Sequence, residues 1–139
     1  MKLFVDTWGW LVLADRKDPR HSSVARCYLE RSQTAGRIVT SNFVLDETLT
    51  LLFRRRPFDE AWRFANSLLQ SPFISLLPVT EVRFRKAFEL HQRFSDKPKI
   101  SFTDLTSMVI MQELRAADIM TADTHFLQVG LGFRLLPEA

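Results

Sequence analysis

The sequence predicts an α/β protein, a three-layer α/β/α domain around a mainly parallel sheet of about five strands. Two observations carry that reading. Short apolar runs rich in β-forming residues alternate with segments of helical periodicity from end to end, the pattern of helices packed on a parallel sheet. No repeat, low-complexity tract or linker interrupts the 139 residues, a length that suits one domain with a proper core. Residues 1–139 therefore read as a single domain, and right-handed crossovers put every strand's carboxyl end on one edge.

Lys2 to Val5 is the first strand, ending at Asp6. Asp6 or Thr7 then caps a helix through Trp8, Leu11, Val12 and Ala14. After the charged loop Asp15 to Arg20, His21 opens a helix running to about Thr34, with Val24, Ala25, Tyr28 and Leu29 at helical spacing. Gly36 ends it, and Arg37 to Thr40 is the second strand. Ser41-Asn42 starts a helix over Phe43 to Arg55 whose stripe is Val44, Thr48, Leu51 and Leu52. Pro57 breaks it where another, Phe58 to Gln70, can begin. Phe73 to Leu77 is the third strand, and Thr80 caps a helix with Val82, Ala87, Phe88 and Leu90 as its apolar positions. Lys97-Pro-Lys99 leads into Ser101-Phe-Thr-Asp104 and the apolar helix Leu105 to Leu114. Asp118 to Thr121 is the fourth strand, Ala122 to Phe126 turns into a helix, and Arg134 to Leu136 is a fifth, edge strand.

Bulk composition narrows the classes. Hydrophobic residues make up 46% and charged residues 25%, which is globular. The single cysteine, Cys27, excludes an internal disulfide and points to a reducing cytoplasm. Asp6 interrupts the apolar start too early for a signal peptide. The run Trp8 to Ala14 is too short to span a membrane. Net charge is +3; with four acids committed to a metal, 19 basic groups face 12 acids elsewhere, a surface that attracts a polyanion.

The acids carry the chemistry. Asp6 closes an apolar strand, where an unpaired charge is costly. Asp104 lies in the first turn of its helix and Asp123 just past a strand's carboxyl end. In a parallel sheet those positions meet in one crevice. Asp118 stands at the other end of its strand, about 15 Å from Asp123. Asp46 and Glu47 are helix neighbours about 100° apart, so only one faces a common centre. The Val44–Thr48–Leu51 side favours Glu47 and leaves Asp46 open.

Asp6, Glu47 in Val44-Leu-Asp-Glu-Thr-Leu49, Asp104 in Ser101-Phe-Thr-Asp-Leu105 and Asp123 in Thr121-Ala-Asp-Thr-His-Phe126 resemble the PIN-domain nucleases, most of all the VapC-type toxins of toxin–antitoxin pairs. The resemblance covers the whole chain. It implies a PIN-like fold and a ribonuclease whose four acids, Asp6, Glu47, Asp104 and Asp123, hold Mg²⁺ or Mn²⁺. It also implies a homodimer and a small cognate antitoxin. One departure stands out: Trp8 occupies a place where the family has a small polar residue, unless Thr7 serves instead.

The donor set agrees, because hard divalent cations prefer carboxylate oxygens. A bound ion that lowers the pKa of water removes the need for a histidine base. Of the basic residues, Lys97 and Lys99 in the loop before Asp104 are the expected phosphate contacts, with His125 as a further substrate contact. Most aromatic residues should be core, while Trp8, Trp10, Phe58 and Trp62 are candidates for a partner groove. A receiver domain wants paired acids after its first strand. A haloacid-dehalogenase phosphatase wants a second Asp two residues on. Thr7 and Trp8 stand against both. The remaining alternative is a catalytically silent PIN-like module that binds RNA or protein.

Overall fold

The computed structural model describes residues 1–138. In chain order it comprises β1 (Leu3–Val5), α1 (Thr7–Ala14), α2 (His21–Arg31), β2 (Ile38–Ser41), α3 (Asn42–Arg55) and α4 (Phe58–Gln70). There follow β3 (Ile74–Leu77), α5 (Glu81–Arg93), α6 (Phe102–Leu114), β4 (Asp118–Met120), α7 (His125–Gln128) and β5 (Arg134–Leu136). The five strands form one sheet in the order β3-β2-β1-β4-β5, and every pairing is parallel.

Burial follows strand position. β1 is central, flanked by β2 and β4, and Leu3, Phe4 and Val5 are wholly buried. Covered on both faces, such a strand reads as a continuous apolar run rather than an alternating one. The edge strand β3 is only partly covered. The chain builds outwards from β1 through β2 to β3, then crosses to β4 and β5 on the other side. The switch in direction lies between β1 and β4, where the Asp6 backbone N–H donates to the Met120 carbonyl at 3.2 Å. A crevice opens beyond the carboxyl ends of strands at such a point.

Two helices fix its walls. α6 is buried continuously from Asp104 to Met111, as expected of a helix that is apolar nearly all round. α1 lies tight on the sheet because residue 9 is glycine. A Cβ there would stand 2.8 Å from Met120 Cγ and 2.9 Å from Val5 Cγ1, closer than core packing tolerates.

Some sequence expectations are corrected. α2 stops at Arg31 rather than Thr34, since Ser32, Gln33 and Thr34 offer nothing to bury. The segment after Asp123 forms only the four-residue α7. β4 ends at Met120 rather than Thr121, with Asp118 at its start paired with Leu3 and Arg134. On α5 only Ala87 is fully buried, while Val82 and Phe88 face solvent. Trp10 is core and no part of a groove: it is 2% exposed and its Nε1 donates to Thr40 Oγ1 at 3.2 Å. Phe58, Phe73, Phe84, Phe88 and Trp62 are instead the large aromatics left exposed. No helix among the described residues is long and apolar enough to cross a membrane.

Candidate active site

Asp6 leaves the end of β1 and is 8% exposed. It stands at the N-cap of α1, but its Oδ2 accepts from the Thr121 hydroxyl at 3.1 Å. Thr121 follows β4, and the same hydroxyl oxygen accepts the Asp123 backbone N–H at 3.1 Å. One side chain thus orients one acid directly and another through its backbone.

Asp104 is also 8% exposed and sits in the first turn of α6. Its backbone N–H donates to Ser101 Oγ at 3.0 Å, and its Oδ2 accepts the Ser101 N–H at 3.4 Å, a reciprocal capping box. The cap fixes where the carboxylate stands. Asp123, half-buried, accepts the His125 backbone N–H on Oδ1 at 2.9 Å. The ring nitrogen His125 Nδ1 lies 2.9 Å from that same oxygen. It is off the line a ring N–H bond requires, so this buried nitrogen has no hydrogen-bond partner among the described residues.

Charge crowds the crevice. Burial pushes the Asp6 carboxyl up to about 6, against hydrogen bonds from Thr7 and Thr121 that favour ionisation, and the charges of Glu47 and Asp123 add to the rise. Asp104 is pushed up to about 7, by burial first and then by Asp6 and Asp123. Carboxylates gathered in a low-dielectric site resist joint ionisation in this way. Asp6, Glu47, Asp104 and Asp123 thus stand within charge range around one crevice. Glu47 is exposed rather than turned into the core, yet of the two neighbours on α3 its charge is the one that reaches Asp6. Asp46 is exposed too, with its carbonyl taken by the Thr50 hydroxyl at 2.8 Å.

Asp104, Asp123 and His125 each offer one ligand atom, all within 4.8 Å of one another. Carboxylate oxygens, an unpartnered imidazole nitrogen and acids whose pKa is raised by burial and by one another's charge suit a divalent cation.

The remaining residues singled out in the sequence make contacts of their own or face solvent. Thr7 helps Asp6 through its backbone alone: its hydroxyl donates to the Val44 carbonyl at 3.4 Å and accepts from Thr48 at 3.2 Å, joining α1 to α3. Trp8 is half-buried under the Arg20 guanidinium, 5.3 Å from its ring centroid. Lys97 is turned onto Asp96 at 2.9 Å and over the Phe94 ring, while Lys99 is exposed. Asp118, at the opposite end of β4, is held by Arg31 and Arg134. Sequence reasoning missed Thr121. Its signal was a hydroxyl two residues before an acid, the spacing of a side-chain turn.

A PIN-domain family model matches residues 3–131, which take in all four acids and every element but β5. The chain is 31% identical over 128 residues to the 23S rRNA-specific endonuclease VapC20 of Mycobacterium tuberculosis, covering 92% of this chain and 94% of that protein. It is 29% identical over 128 residues to a VapC ribonuclease of Archaeoglobus fulgidus, covering 91% and 80%. The crystal structure of M. tuberculosis VapC20, a sarcin–ricin-loop-cleaving toxin, is similar with a TM-score of 0.80 at 30% identity, over 93% of this chain and 95% of that one. A chain of VapBC2 from Rickettsia felis, bound to a promoter DNA fragment, shares the fold with a TM-score of 0.75 at 15% identity, over 97% of each. With a family model, a relative 31% identical and a shared fold all matching along nearly the whole sequence, the chain belongs to the PIN-domain family.

Proposed function

We propose that this protein is a divalent-metal-dependent endoribonuclease and the toxin of a toxin–antitoxin pair. The observation that carries the reading is the meeting of Asp6, Asp104 and Asp123 at the switch point of the sheet. There burial and mutual repulsion hold two of them well above the ordinary carboxylate range. When bound, Mg²⁺ or Mn²⁺ supplies an acidified water and neutralises charge on the phosphate. Asp6, Asp104 and Asp123 hold the ion, and Thr121 fixes Asp6 and the Asp123 backbone. Glu47, the exposed member, completes the set of four acids that would hold the metal, its charge being felt at Asp6. No histidine base is needed.

Purified protein should cleave RNA, with 23S rRNA the first substrate to try because the M. tuberculosis relative is named for it. Mg²⁺ or Mn²⁺ should support cleavage and EDTA should stop it. Cleavage undiminished by exhaustive chelation would refute the metal mechanism. RNA retention without cleavage in either metal would favour the silent binding module.

Thr121→Val should lower metal affinity and cleavage by about 10- to 100-fold, the usual cost of losing a group that orients metal-binding residues. Thr121→Ser should restore most of both. Equal losses in the two variants would show that the hydroxyl is not what matters.

The partner is a small antitoxin, which the toxin reading requires to keep the protein inactive in a cytoplasm suited to its single Cys27. α4 offers the surface. Ala61, Ala65 and Leu68 bury its inner face, while Phe58 and Trp62 stack outside it with ring centroids 6.2 Å apart. Trp62 is 55% exposed, so it is no core residue. Trp62→Ala should leave the thermal midpoint and RNA cleavage nearly unchanged. Antitoxin affinity should fall about tenfold or more, as truncating a central aromatic anchor does. Normal antitoxin binding by a stable variant would remove Trp62 from the interface. The homodimer also remains part of this proposal, with Val82 and Phe88 exposed on α5 to meet a second copy.

A further inference from the structure

We infer that His125 is a ligand of the metal, giving the site one imidazole nitrogen among its oxygens and a preference for Mn²⁺ over Mg²⁺. This rests on the metal-dependent reading above and extends it to a residue outside the four acids.

Three features of the structure converge on His125. Its Nδ1 belongs to a trio with Asp104 and Asp123 whose ligand atoms all lie within 4.8 Å of one another. It is buried yet has no hydrogen-bond partner among the described residues, a cost a native site bears only when something else satisfies the atom. Its distance to Asp123 Oδ1 is 2.9 Å. Two neighbouring ligands on an octahedral ion with bonds of about 2.1 Å stand about 3 Å apart. A donor and acceptor that close would ordinarily be aligned. Two lone pairs directed at a common third point would not be.

Local structure prepares the arrangement. The Asp123 carboxylate holds the His125 backbone N–H at 2.9 Å, and Thr121 holds the Asp123 N–H. The two side chains of Asp123-Thr-His125 therefore project from one pinned turn. Charge explains why a nitrogen helps. Asp6, Asp104 and Asp123 already gather negative charge around the crevice, and an imidazole adds a ligand without adding another negative charge. It also changes selectivity: Mg²⁺ takes oxygen ligands and keeps its waters, while nitrogen donors favour transition ions.

The test is electron spin-echo spectroscopy of the full-length protein loaded with Mn²⁺, together with calorimetric titration of Mn²⁺ and Mg²⁺. The wild type should show the modulation of a directly bound imidazole nitrogen, and isotopic labelling of histidine with ¹⁵N should change it. His125→Ala should lose that signal and weaken Mn²⁺ binding at least tenfold, while Mg²⁺ affinity changes less than threefold. His91→Ala, on the exposed face of α5, should keep both. Mn²⁺ bound without nitrogen modulation in the wild type overturns the assignment and leaves the carboxylate site standing. So does a signal that persists in His125→Ala. Failure of the wild type to bind Mn²⁺ at all overturns both. The wild-type spectrum decides even if the alanine variant does not fold.

Discussion

Asp104→Asn should abolish RNA cleavage and, in the metal-free protein, raise the thermal midpoint. Asp6→Asn should do the same. The loss of activity should exceed about 100-fold, since even groups that only support metal ligands cost up to that much. The gain in stability follows from crowding. Asp6 and Asp104 have folded-state values of about 6 and about 7 against an ordinary 3.8. Between about pH 4 and 7 the native state therefore binds more protons than the unfolded chain, and stability falls as pH rises through that window. Holding one carboxyl about two pH units high costs the ionised fold on the order of 2–3 kcal/mol. Removing that charge should lift the midpoint by about 5 °C at pH 7.5 and flatten the pH dependence. Saturating Mn²⁺ should reverse the order, stabilising the wild type and not the variants. A variant that loses activity together with stability in the metal-free state would mean that the acid serves the fold.

Asp118→Asn should do the opposite, with a large loss of stability and catalysis retained by the molecules that stay folded. Asp118 is 1% exposed at the amino end of β4. Its carboxylate accepts from Arg31 Nη1 at 2.8 Å and from Arg134 Nε and Nη2 at 2.9 Å each. Burial works to raise its pKa, but the hydrogen bonds from Arg134 and Arg31 and their charges outweigh it and hold it below the ordinary value. Its contribution is thus present above the unfolded-state pKa and lost as pH falls through the folded one. Removing one partner of a buried ion pair costs about 3–5 kcal/mol. With the Arg134 side chain 55% exposed, the lower part of that range is expected. Urea unfolding alongside single-turnover cleavage at low temperature separates the two effects. A dead but stable Asp118→Asn would place catalysis at the wrong end of the sheet.

The meeting of the acids at one edge of the sheet was only partly legible in the sequence. Asp6 and Asp123 could be read because a charge closing an apolar strand is costly without a purpose, and β/α alternation fixes which strand end faces the crevice. Asp104 could be read although it also caps α6, because the capping box and the site use the same carboxylate in one orientation. Asp46 and Glu47 could not be fully separated, since helix geometry gives their directions but not which way α3 is rolled. Of the two, Glu47 is the one whose charge is felt at Asp6, which supports its proposed place at the crevice. Thr121 was hidden because its value depends on β1 lying beside β4, a pairing of residues 115 positions apart. Trp10 was misplaced because Gly9 draws α1 onto the sheet and carries its neighbour into the core. Val82 and Phe88 misled in the other direction. An outer helix can carry apolar residues that this chain does not bury, and periodicity does not reveal that.

The central claim is that the acids from β1, α3, α6 and the turn after β4 serve one metal. Anomalous diffraction from a crystal soaked in Mn²⁺ tests it most directly. The account predicts a strong peak in the crevice beyond β1 and β4, within bonding distance of Asp104 and Asp123 and beside Asp6, and gone from Asp104→Asn crystals. A peak elsewhere on the protein, with this crevice vacant at a Mn²⁺ concentration that supports cleavage, would contradict it.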